Sequence, residues 1–240
     1  MPNPILVNKL AKLAVRVGVN VQKNQVVIIR GTTETKELIR EIAEEAYQAG
    51  ARIVYVQWSD DYISRSSLRY QSLEDLETIP SWIVDQNKDF VDAGACFISV
   101  SSPIPGLNKD VDPIKAQRQG IAAQKALSFF REHLMGNKVQ WTIVAAPNPV
   151  WAKQVFPQLE ENEAVEALWQ AIFDASRVTL ENDPIRAWEE HNHILSKHNQ
   201  ILNDYNFKHL HFKNSLGTDL IVELVPNHVW AGGGEVAVNK

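Results

Sequence analysis

Two apolar runs separated by one amphipathic segment constrain the fold of this chain more than any other feature. The runs are Val26–Ile29 and Ile53–Trp58, and the segment between them repeats apolar residues at helical spacing over Leu38–Tyr47. Gly31 precedes this segment, and Thr33 is its predicted N-cap. Strand, helix and strand with such short connections form a βαβ unit, so we predict two parallel strands joined by a right-handed crossover.

Two further apolar runs extend this sheet, at Cys96–Val100 and Val139–Ala145. All four runs are nearly continuously apolar, which is typical of parallel strands covered on both faces. A first amphipathic helix is predicted over Leu6–Val17, and one long helix between the last two runs carries the apolar residues Ile114, Ala122, Ala126, Phe129 and Phe130. The predicted fold class is therefore α/β, a mostly parallel sheet with helices on both faces.

The pattern changes in the last third of the chain. Two helices are predicted there, at Glu163–Arg177 and Pro184–Leu202, with the proline in a first helical turn. Two short runs, Phe207–Phe212 and Asp219–Leu224, then flank a turn and indicate an antiparallel hairpin. From Trp230 on, the sequence predicts a loop with at most a nascent strand.

A hairpin and a loop cannot form an independent core. We therefore predict an α/β domain over residues 1–203, followed by the incomplete beginning of a β-rich domain over residues 204–240.

Composition excludes several classes of protein. The net charge of -5 would repel a phosphate backbone, so a nucleic acid is not an expected partner. Apolar runs far below about 18 residues predict no membrane span. A single cysteine, Cys96, and an N-terminus without the features of a secretory signal predict a cytoplasmic location.

Histidines and carboxylates cluster near Glu189-Glu-His-Asn-His193 and His198, which are residue types that ligate zinc. His191 and His193 are two positions apart, about 200° around a helix, so their side chains cannot converge on one ion. A solvated helix face explains the cluster better. His209 and His211 share one face of a predicted strand that neighbouring lysines mark as exposed.

Serines stand at the carboxyl end of the third predicted strand, where open α/β sheets usually place ligands. They are Ser99, Ser101 and Ser102, but the sequence around them is not the Gly-x-Ser-x-Gly elbow that exposes a nucleophile. Gly31-Thr-Thr lacks a nucleotide-binding fingerprint, so we interpret Gly31 as a turn residue. Gly232–Gly234 is interpreted as a flexible connection, and Cys96 as an inert core residue.

Several stretches in a fixed order resemble the metal-dependent thermophilic aminopeptidase family, of the aminopeptidase T and aminopeptidase S type. The resemblance spans more than 200 residues. It is carried by Leu13–Ile28, Glu45–Asp60, Gln140-Trp, Ala146-Pro, Trp151-Ala, Asp183–His191, Leu216–Leu220 and His228–Gly234.

The resemblance implies a dimeric, two-domain exopeptidase that removes N-terminal residues from peptides. Such an enzyme would use two divalent metal ions, Zn, Co or Mn. The first metal-binding glutamate of the family stands in an Asn-x-Pro-Thr-Glu-Glu-Val-Phe motif after the Gly-rich segment, and no such motif precedes Lys240. Glu235 is nearest in position but does not match. We therefore expect no catalytic, cofactor-binding or metal-binding residue in this chain, and expect the 240 residues alone to be inactive.

Two alternatives remain open at this point. In the first, the α/β domain is a non-catalytic module for small-molecule binding or dimerisation. In the second, the chain is a nucleotide-dependent enzyme that uses the backbone amides near Gly31.

Overall fold

A computed structural model describes residues 2–238. Its main sheet has four strands in the order β2-β1-β3-β4 and is parallel throughout. The strands are β1 (Val26–Thr32), β2 (Ile53–Ser59), β3 (Cys96–Ser101) and β4 (Trp141–Ala145). The predicted α/β class is confirmed, and β4 begins two residues later than its apolar run.

Helices connect and cover these strands. They are α1 (Pro4–Leu13), α2 (Lys36–Gln48), α3 (Asp61–Tyr70), α4 (Leu73–Glu77), α5 (Ser81–Asp92), α6 (Pro113–Ala126), α7 (Ser128–Met135), α8 (Pro149–Val155), α9 (Glu161–Ala175) and α10 (Pro184–Tyr205). A short π-helix, Ala14–Gly18, continues α1. Within residues 2–238, every helix is too short or too polar to cross a lipid bilayer.

The core lies on both sides of β1, because this central strand is buried along most of its length. On one face, Ile28 packs with Phe97 and Phe130, and Phe90 of α5 lies against the same cluster. On the other face, Gly31 lies directly under Ile39 of α2. Alternate residues of β1 therefore pack against helices on opposite faces of the sheet.

Three predictions about local structure are wrong. The long helix before β4 is two helices, α6 and α7, separated at Leu127. Thr33 does not cap α2, because a 3-10 turn over Thr33–Thr35 precedes that helix and the Thr35 hydroxyl donates to the Thr32 carbonyl, 2.8 Å away. Gly31 is not a turn residue, since it lies inside β1 opposite Trp58.

Contacts divide the chain into two compact units. One runs to Ile185 and takes in the chain from Val236 on, and the other is Arg186–Glu235. In the second unit, β5 (His209–Lys213) and β6 (Asp219–Glu223) form the predicted antiparallel hairpin, and residues 224–238 contain no strand. The predicted division at residues 203 and 204 stays a prediction.

Candidate ligand site at the carboxyl edge of the sheet

The strand order creates a switch point at the carboxyl ends of β1 and β3. From β1 the chain crosses to β2 on one side, and it later returns to place β3 on the other side. Connections that leave in opposite directions open a crevice at this point, which is where open α/β sheets bind ligands. Thr32 and Ser101 are the last residues of the two strands.

Arg30 lies two residues before the end of β1, and its side chain is half-buried against the sheet. Its Nε donates to Gln57 Oε1 at 2.7 Å, and its Nη2 donates to Asn87 Oδ1 at 2.8 Å. The guanidinium carbon lies 5.2 Å from the ring centre of Phe97 and 4.8 Å from that of Phe130. Burial lowers the pKa of Arg30 from its ordinary value, because the charged form loses hydration.

Hydroxyl groups surround the switch point. Ser99 is directly opposite Arg30 in the β1–β3 register, and Ser101 is exposed. The Thr32 Oγ1 atom is buried without a hydrogen-bond partner. Ser102, the third serine named from the sequence, is buried. Its hydroxyl accepts a hydrogen bond from Asn148 Nδ2 at 3.0 Å, so it has a structural role.

Three carboxyl groups lie at the ends of β1 and β2. Burial raises the pKa of Asp61, and the negative charges of Glu34 and Asp60 raise it further. A cavity of about 390 Å³ adjoins this group, lined by Asp61, Ser64, Ile104, Gly106, Leu107, Asn108 and Lys109. Sequence patterns missed this cluster because its members belong to separate segments, and only the strand order brings those segments to one edge.

The histidines of α10 do not converge with other possible ligands on one position in the described part of the chain. His191 packs edge-on against Trp188 with ring centres 5.3 Å apart, while His193 and His198 are exposed. In the hairpin, His209 and His211 are exposed as predicted, and His211 Nε2 lies 2.5 Å from Asp219 Oδ1.

One histidine has an arrangement that the sequence did not single out. His228 Nδ1 donates to the carbonyl of Val225 at 2.9 Å, which leaves Nε2 as an acceptor, and Nε2 is buried without a partner. Trp230, whose ring meets His228 edge-on, has a buried Nε1 that is also unpaired. The His-Val-Trp sequence contributed to the family resemblance, but nothing in its spacing indicated these two unpaired atoms.

The start of the glycine-rich segment forms hydrogen bonds with α10 within the second unit. Asn199 Nδ2 donates to the Gly232 carbonyl at 2.9 Å, and Asn203 forms hydrogen bonds with both the carbonyl and the amide of Trp230. Gly233 has a φ of 91°, a conformation that favours glycine. These contacts fix the start of the segment, and the interpretation of Gly232–Gly234 as a flexible connection stays a prediction.

A metal centre requires several histidine, cysteine, aspartate or glutamate side chains that point at one position. Among residues 2–238, no group of three or more such side chains is arranged to hold an ion. The described residues therefore do not fit a metal ion.

Comparison with known proteins identifies the family. The family model for thermophilic metalloproteases (M29) matches residues 5–240. The chain belongs to this M29 family. Aminopeptidase AmpS of Bacillus subtilis is 39% identical over 229 residues, and Aminopeptidase T of Thermus thermophilus is 40% identical over 225 residues.

The M29 relatives are longer than this chain. The matched region covers 95% and 94% of the chain but only 55% of each of those two relatives. The solved structure of wild-type AmpT from Thermus thermophilus superimposes with a TM-score of 0.88 at 37% identity, over 97% of this chain and 57% of the other. The chain thus spans about half the length of the M29 proteins that it matches.

Proposed function

We propose that this chain is the N-terminal part of a metal-dependent aminopeptidase, a hydrolase that removes N-terminal residues from peptides. The observation that carries the proposal is the family match over residues 5–240, together with relatives named as aminopeptidases at 36–40% identity. The whole protein would bind two divalent ions, Zn, Co or Mn, through residues outside the described part. It would be cytoplasmic and homodimeric.

The hairpin supports the proposed domain organisation, with an α/β domain over residues 1–203 and the start of a β-rich catalytic domain over 204–240. Every residue of β6 is exposed, including Leu220 and Ile221, and Phe212 of β5 is 50% exposed. A two-stranded hairpin that buries neither face is at most marginally stable in water. It fits the first element of a larger β structure.

The test compares the 240-residue chain with the polypeptide that its reading frame encodes. We expect an intact mass above that of 240 residues, and cleavage of an aminoacyl-anilide by the longer protein that a chelator abolishes. The 240-residue chain should neither cleave the substrate nor bind two metal ions tightly. Robust, chelator-sensitive cleavage by the short chain would contradict the proposal.

Homodimerisation is tested separately, by sedimentation of both proteins at micromolar concentration. A dimer is the expected result for the longer protein. If the longer protein sedimented as a monomer, this part of the proposal would be wrong, while the aminopeptidase activity would still be judged by the cleavage assay.

A second candidate function is a non-catalytic small-molecule binding module, favoured by the polar residues at the sheet's carboxyl edge, where Arg30 has only neutral hydrogen-bond partners. A stop codon directly after Lys240 would favour this function over the peptidase. A nucleotide ligand for the same edge is tested by calorimetric titration with ATP.

A further inference from the structure

The Arg30 guanidinium has no counter-ion among the described residues. Its two hydrogen-bond acceptors, Gln57 and Asn87, are neutral amides, and it forms no ion pair there. Gln57 in turn donates to Gln86, and Asn87 donates to the Ile83 carbonyl, so the network ends in neutral groups. The positive charge of Arg30 is therefore uncompensated.

A partly desolvated charge of this kind is usually paired with an opposite charge. An arginine stays protonated even where its pKa is lowered, because its ordinary pKa is far above neutrality. The rings of Phe97 and Phe130 offset part of the cost through cation–π contact. Two of the five N–H donors are used, which leaves three for a ligand.

The surface beside Arg30 is open and carries hydroxyl groups. Ser99 is its direct neighbour in β3 and Ile143, the next residue across in β4, is 60% exposed. Further along the same face, Ser101 is exposed and the Thr32 hydroxyl has no partner. The planar fork of an arginine beside hydroxyl donors matches the geometry of carboxylate and phosphate groups.

We propose that Arg30 and Ser99 bind a small oxyanion, a carboxylate or a phosphate, at the switch point between β1 and β3. The site lies in the α/β part of the chain and does not require the peptidase activity. Arg30 supplies the charge and two parallel N–H donors, and the Ser99 hydroxyl supplies a third donor.

The test is a titration of the 240-residue chain with sodium phosphate and, separately, with sodium acetate, followed by NMR at constant ionic strength. We expect saturable shifts of the Arg30 and Ser99 signals. Saturation by phosphate with weaker binding of acetate assigns the site to phosphate groups, and the reverse order assigns it to carboxylates. No saturable binding of either anion would overturn the proposal.

Arg30→Gln removes the charge and the fork, and should raise Kd by about tenfold or more. Its matched control is Arg40→Gln, which removes the same charge from an exposed position on α2 and should change Kd by less than about twofold. Equal weakening by both variants would mean unspecific attraction and would reject the site.

Because Arg30 belongs to a packed network, Arg30→Gln could fail to fold, which circular dichroism would reveal. In that case the Kd values of Arg30→Lys and Ser99→Ala for the anion test the proposed site. Lysine keeps the charge but loses the fork, and alanine removes one donor, so each should weaken binding by about threefold or more. Unchanged Kd in both variants would contradict the proposed site.

Discussion

At the scale of single residues, Gly31 sets how closely α2 lies on β1. A Cβ atom at this position would lie 2.6 Å from Ile39 Cδ1 and 2.8 Å from Thr35 Oγ1. We expect Gly31→Ala to lower the free energy of unfolding by about 1–3 kcal/mol through overpacking. Gly120→Ala is the control in urea denaturation, because its Cβ meets no atom within 4 Å and should stabilise α6 by up to about 1 kcal/mol.

Asn148 connects the ends of β3 and β4. Its amide donates to the carbonyls of Ser102 and Pro103, and its Oδ1 accepts from the amide of Trp151 as the N-cap of α8. Asn148→Ala should lower the free energy of unfolding by about 2–4 kcal/mol, because it leaves several buried groups unpaired. Asn162→Ala, at an exposed position of α9, should change it by less than about 0.5 kcal/mol.

Protonation of Asp61 should increase the free energy of unfolding, whereas acid usually lowers it. Because its pKa is raised in the folded protein, ionisation of this carboxyl disfavours folding above that pKa, and the penalty disappears as the pH falls below the ordinary value. Glu34→Gln removes one of the repelling charges and should lower the Asp61 pKa measured by carboxyl NMR. Burial is the larger cause, so the pKa should stay above its ordinary value, and an unchanged pKa would contradict the assignment.

At the scale of elements, the strands were predictable because their residues are nearly continuously apolar. The expected coverage on both faces holds for β1 and β3, whereas β2 and β4 leave several residues exposed because they lie at the edges of the sheet. The division between α6 and α7 was not predictable, because Leu127 and its neighbours continue the helical apolar spacing across the break. Helices α3, α4 and α5 carry one buried residue each, so packing against the core constrains their sequences little. Only the location of the candidate site, at the carboxyl edge of the sheet, was predictable from the sequence. Ser99 and Ser101 indicated the carboxyl edge, but the role of Arg30 depends on its neutral partners from β2 and α5.

The contact between α10 and the glycine-rich segment depends on Asn203. Its side-chain amide donates to the Trp230 carbonyl, and its Oδ1 accepts from the Trp230 amide. Asn203→Ala should therefore speed amide exchange of residues 230–234 by about tenfold, as expected for the loss of about 1.4 kcal/mol of local protection. Gln200→Ala is the control, because Gln200 is exposed on the same helix. Hydrogen exchange with mass spectrometry measures both, and equal effects would contradict this role of Asn203.

At the scale of the whole molecule, stability should differ strongly between the two units. Val27, Ile28 and Ile29 of β1 are fully buried, whereas the residues of β6 are all exposed. We expect the amides of β1 and β3 to exchange only through global unfolding and those of β5 and β6 through local opening. Exchange of both sheets at one common rate in native buffer would contradict this expectation.

The sole cysteine gives the α/β sheet a chemical reporter. Cys96 begins β3, the strand beside the centre of the sheet, and its side chain is fully buried. A thiol reagent such as Ellman's reagent can reach it only when β3 separates from its neighbours, since a thiolate must meet the reagent directly. The rate of colour formation in native buffer therefore reports how readily the sheet opens, without any substitution.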